Sequence, residues 1–431
     1  MPGSAAPSDP GPQARDPGPQ AIDAGAETLY ADHGAGRTAL LLQGPSSLFF
    51  SYLGDALEAL GARVLRVHTC PGDALLWRRP GGVSYRGSAR GWPDWIGGFM
   101  AREGVTDLAF LGARRAAHAA ALPEARALGV RLHHVELGYV RPDWLTVEPE
   151  GGGADGRFPR DWPAIEALAR DAPPEETGLY ASRFAKMAAM DVAWNLTNWL
   201  TSWATHPSYR RHAIWHPLAE YGGFLWTQAR AGAARRQAEA VVQAWADAPA
   251  FLFPLQLRTD FQVRAHGPHA DLRVTAAEVV RSFAAHAPPE ARLLIKTHPV
   301  DNGLTLWRRL LKAAAGASAD RVEVIDGGDL PALLAQAPGV VTVNSTAGLS
   351  ALRLGRPVKA LGAAIFDLPG LTDPQPLEAF WNDPRPPEPG RADTFLSALG
   401  WATQVRGAFD GTGARPGAEN VARRMLAPPR F

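Results

Sequence analysis

The chain has a single cysteine in 431 residues, Cys70. An internal disulfide and a cysteine-based zinc cluster are therefore excluded. No stretch of about 18 residues is apolar and free of charge, so no membrane-spanning helix is expected. The N-terminus lacks a basic region followed by an apolar one, and no secretory signal is read there. The turn after the first strand-like run carries neither G-x-G-x-x-G nor G-x-x-x-x-G-K, which argues against a dinucleotide fold or an ATP P-loop. Asp-x-Asp is missing as well, and with it the usual carboxylate pair for a divalent metal. A net charge of +1 supplies no basic excess for nucleic acid. These absences set the expectation of a soluble cytoplasmic α/β protein with neither metal nor cofactor.

What is present changes in character along the chain. Residues 1–36 are rich in Pro, Gly, Ala and Ser and read as a disordered tail, because they cannot bury enough apolar surface to offset ordering entropy. From Ala39, apolar runs alternate with helical stretches. Ala39–Gln43, Arg63–Val67, Asp107–Gly112 and Val130–Glu136 read as strands of a parallel sheet with helices on both faces. Residues 150–245 read as helical, and strand–helix alternation returns from Ala250. The expected division is 37–180 as a Rossmann-like domain and 181–245 as a helical connector. Residues 246–390 follow as a second Rossmann-like domain, and 391–431 as helices folding back on the first domain.

In such sheets ligands sit at the carboxyl ends of strands. One apolar run ends in Lys296-Thr297-His298-Pro299, another in Asn344-Ser345-Thr346 with Gly348 following. A helix opening at Ser345 and Thr346 would offer N–H groups and hydroxyls to an anion. Lys296 would neutralise it, His298 would donate to a leaving phosphate, and Pro299 would stiffen the turn. Gly348 in the first turn is unfavourable unless something approaches closely. Each cluster also reads as ordinary strand-end and N-cap chemistry. Gln256 and Asp260 follow the first strand of the second domain, where a carboxylate can orient hydroxyls or act as a base. Across the expected cleft lie Glu136 as first-domain base, Arg141 as an anion contact, and the turn holding Ser46 and Ser47. His206, His212 and His216 carry no metal spacing and read as surface residues. The connector also concentrates Trp194, Trp199, Trp203, Trp215 and Trp226 with Arg210, Arg211, Arg235 and Arg236. That pairing suits either a membrane interface or a core.

Two βα domains with an acid on the first and Lys/His plus Ser/Thr on the second describe a GT-B glycosyltransferase. Six ordered segments resemble the capsular polysaccharide β-Kdo transferases, in particular the type that adds the first Kdo to a lipid anchor. They are Tyr85-Arg86-Gly87, residues 136–144 from Glu136 to Trp144, residues 254–260 from Pro254 to Asp260, Lys296 to Pro299, Asn344 to Gly348, and Ala364 to Gly370. Leu137 departs from the pattern, where a second acid is expected. The resemblance implies CMP-Kdo as donor, a lysophosphatidylglycerol-type lipid as acceptor, and net retention at the anomeric carbon. It assigns Asp260, Glu136 and His298 to catalysis. The donor falls to Lys296, His298, Pro299, Asn344, Ser345, Thr346 and Gly348, and further substrate contacts to Gln256, Arg141, Arg86, Ser46 and Ser47. The protein would then work at the inner face of the cytoplasmic membrane, alongside other capsule synthesis and export proteins. The rival readings are a transferase for another CMP- or CDP-activated donor (sialic acid or glycerol phosphate) and a non-catalytic capsule assembly or export protein.

Overall fold

The structure is a computed structural model that describes residues 34–140, 143–173, 180–181, 184–211 and 214–431. Most of the expected N-terminal tail, together with Arg141 and His212, lies outside the described residues.

Two sheets organise the chain. The first is built from β1 (Thr38–Leu41), β2 (Arg63–His68), β3 (Val83–Ser84), β4 (Asp107–Phe110), β5 (Arg131–Leu137), β6 (Trp144–Pro149) and, near the C-terminus, β12 (Gln404–Arg406). Its spatial order is β12-β6-β5-β4-β1-β2-β3. The second is built from β7 (Ala250–Pro254), β8 (Arg292–Lys296), β9 (Val322–Ile325), β10 (Val340–Thr342) and β11 (Val358–Ala360). These lie in the order β11-β10-β7-β8-β9. Strand β1 is buried along its whole length, which is why its sequence is a continuous apolar run. The second sheet is parallel throughout. The first is mixed, because β6 runs antiparallel to β5 and β12 antiparallel to β6. The expectation of an all-parallel first sheet is corrected here. Only residues 138–143 separate β5 from β6, which leaves no room for a crossover helix.

Seven helices position the cleft and its surroundings. They are α1 (Phe49–Ala59), α2 (Phe184–Thr205), α3 (Pro217–Ala244), α4 (Phe261–His266), α5 (Thr346–Arg353), α6 (Arg391–Thr403) and α7 (Ala414–Leu426). The last returns to the first domain. Ala418, Val421, Ala422 and Met425 of α7 are fully buried in one cluster with Phe49, Leu53 and Leu57 of α1. Each large side chain so buried contributes about 1.5–3 kcal/mol. The chain therefore crosses between its two sheets and ends on the first. The result is a GT-B architecture of two Rossmann-like domains with a cleft between the strand ends.

Candidate active site in the inter-domain cleft

A cavity of ≈ 700 Å³ opens between the two sheets, with Ser46, Arg115 and Glu136 on one wall and Arg258, Asp260 and Asp301 on the other. Helices α2 and α3 and the segment between them close it with Asp191, Asn195, Arg211 and Tyr221. Each wall residue follows a strand: Ser46 after β1, Arg115 after β4, Glu136 near the end of β5, Asp260 after β7. Parallel strands present their carboxyl ends to the same edge, so residues far apart in sequence meet there.

Asp260 is the N-cap of α4, and its Oδ1 accepts a hydrogen bond from the Gln262 N–H at 2.8 Å. Its Oδ2 accepts from Gln256 Nε2 at 3.2 Å. Burial raises the Asp260 carboxyl above the usual carboxylate range. The hydrogen bonds from Gln262 and Gln256 pull it back, the nearby Glu136 charge raises it further, and His298 lowers it. A carboxyl tuned upward in a cleft is a candidate for proton exchange.

Gln256 links this carboxyl to the second cluster. Its Nε2 also donates to Asn344 Oδ1 at 2.9 Å, and its Oε1 accepts from the Asn344 N–H at 3.3 Å. Asn344 Nδ2 in turn donates to the Gln262 carbonyl at 3.0 Å. Gln256 and Asn344 are thus occupied with each other and with α4, and they position Asp260 against the start of α5. Ser345 caps α5, its Oγ accepting from the Ala347 N–H at 3.2 Å. Thr346 is the first residue of the helix and half-buried. Lys296 is buried at the end of β8, where desolvation lowers its ammonium pKa and the Asp326 carboxylate offsets part of the effect. His298 is half-buried, and its Nδ1 accepts from the Val300 N–H at 3.3 Å. The ring proton of the neutral form therefore sits on Nε2, which makes that nitrogen the donor. Pro299 is exposed beside it.

Other expected site residues lie elsewhere or serve the fold. Ser47 is buried and its Oγ accepts from the Phe49 N–H, so it shapes the entry to α1. Ser46 does line the cleft, donating to Asp191 Oδ1 at 2.8 Å. Arg86 is exposed on the loop after β3, at the sheet edge farthest from β6 and β12, and is not among the cleft-lining residues. Gly348 has a packing explanation: a Cβ there would lie 2.7 Å from the Phe366 ring, so what approaches closely is a core side chain. His206 is buried, against the surface reading, and desolvation lowers its pKa. His216 is exposed and its Nδ1 accepts from the Leu218 N–H at 3.3 Å, making it the N-cap of α3.

Arg115 was not anticipated. It is half-buried and lines the cleft, and its Nη1 donates to Gln43 Oε1 at 2.7 Å. Desolvation lowers its pKa, and Glu136 and Asp73 counter that fall. The sequence signal was there, a polar residue just after the β4 strand end. It was hidden by its neighbour Arg114, which pairs with Asp155 at 2.6 Å and is half-exposed. Arg258 is the second such cation, 5.7 Å from the Trp215 ring centroid and 3.4 Å from Asp271.

Comparison with known proteins sets these residues in context. Residues 106–410 match the family described as Capsule polysaccharide biosynthesis protein. The chain is 31% identical over 383 residues to the capsule polysaccharide export protein KpsS of Escherichia coli, covering 87% of this chain and 97% of that one. It is 30% identical over 390 residues to the capsule polysaccharide modification protein LipB of Neisseria meningitidis serogroup A, covering 86% and 91%. Among solved structures, the Thermosulfurimonas dismutans KpsC beta Kdo 2,7 transferase aligns with a TM-score of 0.44 at 13% identity, over 90% of this chain and 99% of that one. With more than half of its length inside the family match and full-length relatives at 30% identity or above, this chain belongs to the capsule polysaccharide biosynthesis protein family.

Proposed function

We propose that the protein is a glycosyltransferase that moves Kdo from CMP-Kdo to a lysophosphatidylglycerol-type lipid, with retention, and so starts the linker of a capsular polysaccharide. The observation that carries this reading is the pairing of Glu136 and Asp260 in one cleft, with Asp260 tied through Gln256 to the Asn344–Ser345 helix start. The donor phosphate sits against Ser345, Thr346 and the Lys296–His298 turn, where N–H groups and a cation meet a leaving dianion. His298 Nε2 donates to that phosphate as it departs. Asp260 is the carboxylate nearest the reacting carbon, and Glu136 faces it from the first domain. Arg115 and Arg258 supply the charge that the sugar's own carboxylate requires.

The test is CMP release from CMP-Kdo with and without lipid acceptor, joined to calorimetry of CMP binding. Turnover should depend on the acceptor. Lys296→Ala and Ser345→Ala should each weaken CMP binding by about 1.5–3 kcal/mol, the worth of one charge-assisted contact. Unchanged affinity in both variants moves the nucleotide elsewhere. One observation favours a second reading: the Escherichia coli relative is named an export protein. Absence of any CMP release, with CMP still bound, would select a non-catalytic assembly or export role. Faster release from another CMP- or CDP-activated donor would change the substrate alone.

The acceptor puts the work at a bilayer surface. No helix among the described residues is long and apolar enough to cross a membrane. The last turns of α2 and the first half of α3 nevertheless expose Leu200, Trp203, Leu225 and Trp226 at 58%, 78%, 68% and 62%. Trp194 is buried, so the connector tryptophans divide between core and surface. Arg210 and Arg230 are exposed along the same two elements or their loop, whereas Arg211 is ion-paired with Glu220. This composition fits insertion of aromatic and aliphatic side chains at the headgroup level of anionic lipid. Liposome flotation should show binding to phosphatidylglycerol vesicles that falls with salt. Trp203→Ser with Trp226→Ser should abolish it while leaving CMP affinity intact. Equal binding to neutral vesicles, or no loss in the double variant, would sink the assignment.

A further inference from the structure

Behind the first-domain wall of the cleft, three segments meet in a chain of buried polar groups. Gln43 follows β1 and is 5% exposed, and Asp73 of the short helix Pro71–Leu76 is 2% exposed. Arg115, which follows β4, is half-buried and lines the cleft. The two strand ends are tied by their backbones, since the Leu111 N–H donates to the Gln43 carbonyl at 3.1 Å. Gln43 Nε2 donates to Asp73 Oδ1 at 3.2 Å and to Cys70 Sγ at 3.3 Å. Its Oε1 accepts from Arg115 Nη1 at 2.7 Å. Asp73 Oδ2 in turn accepts from the Thr69 N–H and from Thr69 Oγ1, both at 3.0 Å. Burial alone would raise the Asp73 carboxyl, but Arg66 and the hydrogen bonds from Thr69 and Gln43 hold it below the usual range.

The chemistry of the two ends fixes which way the Gln43 amide faces. A carboxylate only accepts and a guanidinium only donates, so the amide N–H groups face Asp73 and the amide oxygen faces Arg115. A flipped amide would set donor against donor and leave a buried carboxylate oxygen short of a partner. Arg115 is thus gripped through one nitrogen, with Nη1 bonded to Gln43 and, at 3.3 Å, to the Gly44 carbonyl. Its Nε and Nη2 carry no hydrogen bond among the described residues, and neither is shut off from solvent. Those two nitrogens form the edge of a guanidinium that matches a pair of carboxylate or phosphate oxygens. Gly112 keeps room beside that edge, because a Cβ there would lie 3.3 Å from Arg115 Nε. The other two arginines that line the cleft already face carboxylates, Arg258 with Asp271 and Arg211 with Glu220.

We propose that Gln43 is a positioning residue: braced by Asp73, it aims the Nε–Nη2 edge of Arg115 at an anionic group of a substrate bound in the cleft. Arg115 touches the substrate, and Gln43 acts through Arg115. Under the function proposed above, on which this assignment rests, that group is the carboxylate of the donor sugar. The phosphate of the acceptor presents the same pair of oxygens and is the other source of this chemistry.

The experiment uses the full chain and the variants Gln43→Met, Arg115→Lys and the two combined. Calorimetry compares CMP, CMP-Kdo and glycerophosphoglycerol as ligands. Nitrogen NMR spectra of protein carrying isotope-labelled arginine follow the Arg115 side chain, assigned by its loss in Arg115→Lys. In the parent, the bond to Gln43 slows rotation about Cζ–Nη1 and should give Arg115 separate side-chain signals, which should average in Gln43→Met. Gln43→Met should weaken CMP-Kdo binding about tenfold or more, the usual effect of losing a hydrogen bond to a charged group, with CMP affinity unchanged. Arg115→Lys should do the same, since an ammonium lacks the fork. The double variant should bind no more weakly than Arg115→Lys alone, because Gln43 then has nothing left to orient. A loss that falls on glycerophosphoglycerol instead of CMP-Kdo identifies the acceptor phosphate as the anion and supports the same role. If neither ligand binds the parent, the function proposed above fails and the spectra decide: averaged signals in Gln43→Met support the positioning role, unchanged signals overturn it. The role is overturned as well if the losses are additive in the double variant, or if Gln43→Met binds both ligands like the parent. An equal loss of CMP affinity in Gln43→Met also overturns it, by marking a purely structural residue. Gln43→Asn, which keeps the amide but withdraws it by one methylene, reads the same outcomes if Gln43→Met does not fold.

Discussion

Asp260→Asn is expected to lower transferase turnover by about 10²–10⁴-fold, the usual contribution of a positioned acid–base group. The substitution is isosteric, and the Asn Oδ1 can still accept from the Gln262 N–H that caps α4. The melting temperature should therefore move little, and CMP affinity should be nearly unchanged, because the phosphate contacts proposed above lie on Lys296 and α5. The loss should fall on kcat. In the parent enzyme, turnover should rise with pH through a limb above the usual carboxylate range, since burial holds the Asp260 carboxyl there. Glu136→Gln is the companion variant, and it should shift that limb downward by removing the charge that Asp260 senses. Near-normal turnover in Asp260→Asn would pass the role to Glu136. A flat pH profile in the parent would remove Asp260 from proton transfer altogether.

The second large effect is acid lability. Three histidines are buried in the first domain and kept neutral: His68 with its pKa lowered to about 4, His118 to about 3 and His134 to about 4. Desolvation is the leading cause in each, and neighbouring arginines add to it. His118 Nε2 and His134 Nδ1 have no hydrogen-bond partner among the described residues, so protonation would strand a charge. The folded pKa values lie below the unfolded ones, so unfolding takes up protons once the pH falls below about 6.5. Stability then declines towards pH 4. Glu148 acts in the opposite sense. It is buried on β6, paired across strands with His134, and its carboxyl is pushed up to about 7 by desolvation. It therefore adds stability as the pH falls from 7 towards the unfolded carboxyl's range. Near pH 5.5 three histidines take up protons on unfolding and one glutamate releases one. The net uptake of about two protons corresponds to roughly 2–3 kcal/mol lost per pH unit. Denaturant unfolding between pH 7.5 and 5.0 measures the slope directly. Glu148→Gln should stabilise the protein at pH 8, where the buried carboxylate is otherwise ionised, and steepen the acid decline. A slope near zero, or a variant less stable at pH 8, would refute this account.

The strands that build the two domain centres were legible in the sequence because they are buried on both faces. Ala39–Leu42 and Leu293–Ile295 are uninterrupted apolar runs for that reason. The strand-end clusters were legible too, since Asp260, Lys296 and Asn344 break those runs abruptly. Strand β9 went unread, being only four residues long with Glu323 inside it. Strand β12, three residues between two helices, was equally hidden. Short edge strands carry too little periodicity to separate from a loop. Within the β6 segment, buried Thr146 and Glu148 mask the pattern.

By itself, then, the sequence determined the alternating βα plan, the two domains and the polar breaks at the strand ends, because these follow from local apolar periodicity and its interruptions. Tertiary structure alone decided what each polar side chain does. It turned Gln256 and Asn344 towards each other and set Phe366 against Gly348. It brought Arg115 to the cleft wall with Glu136 and buried His206. Those outcomes depend on desolvation and on partners distant in sequence, such as Asn344 for Gln256 and Trp144 for Arg406. No local pattern records how much water a side chain will keep.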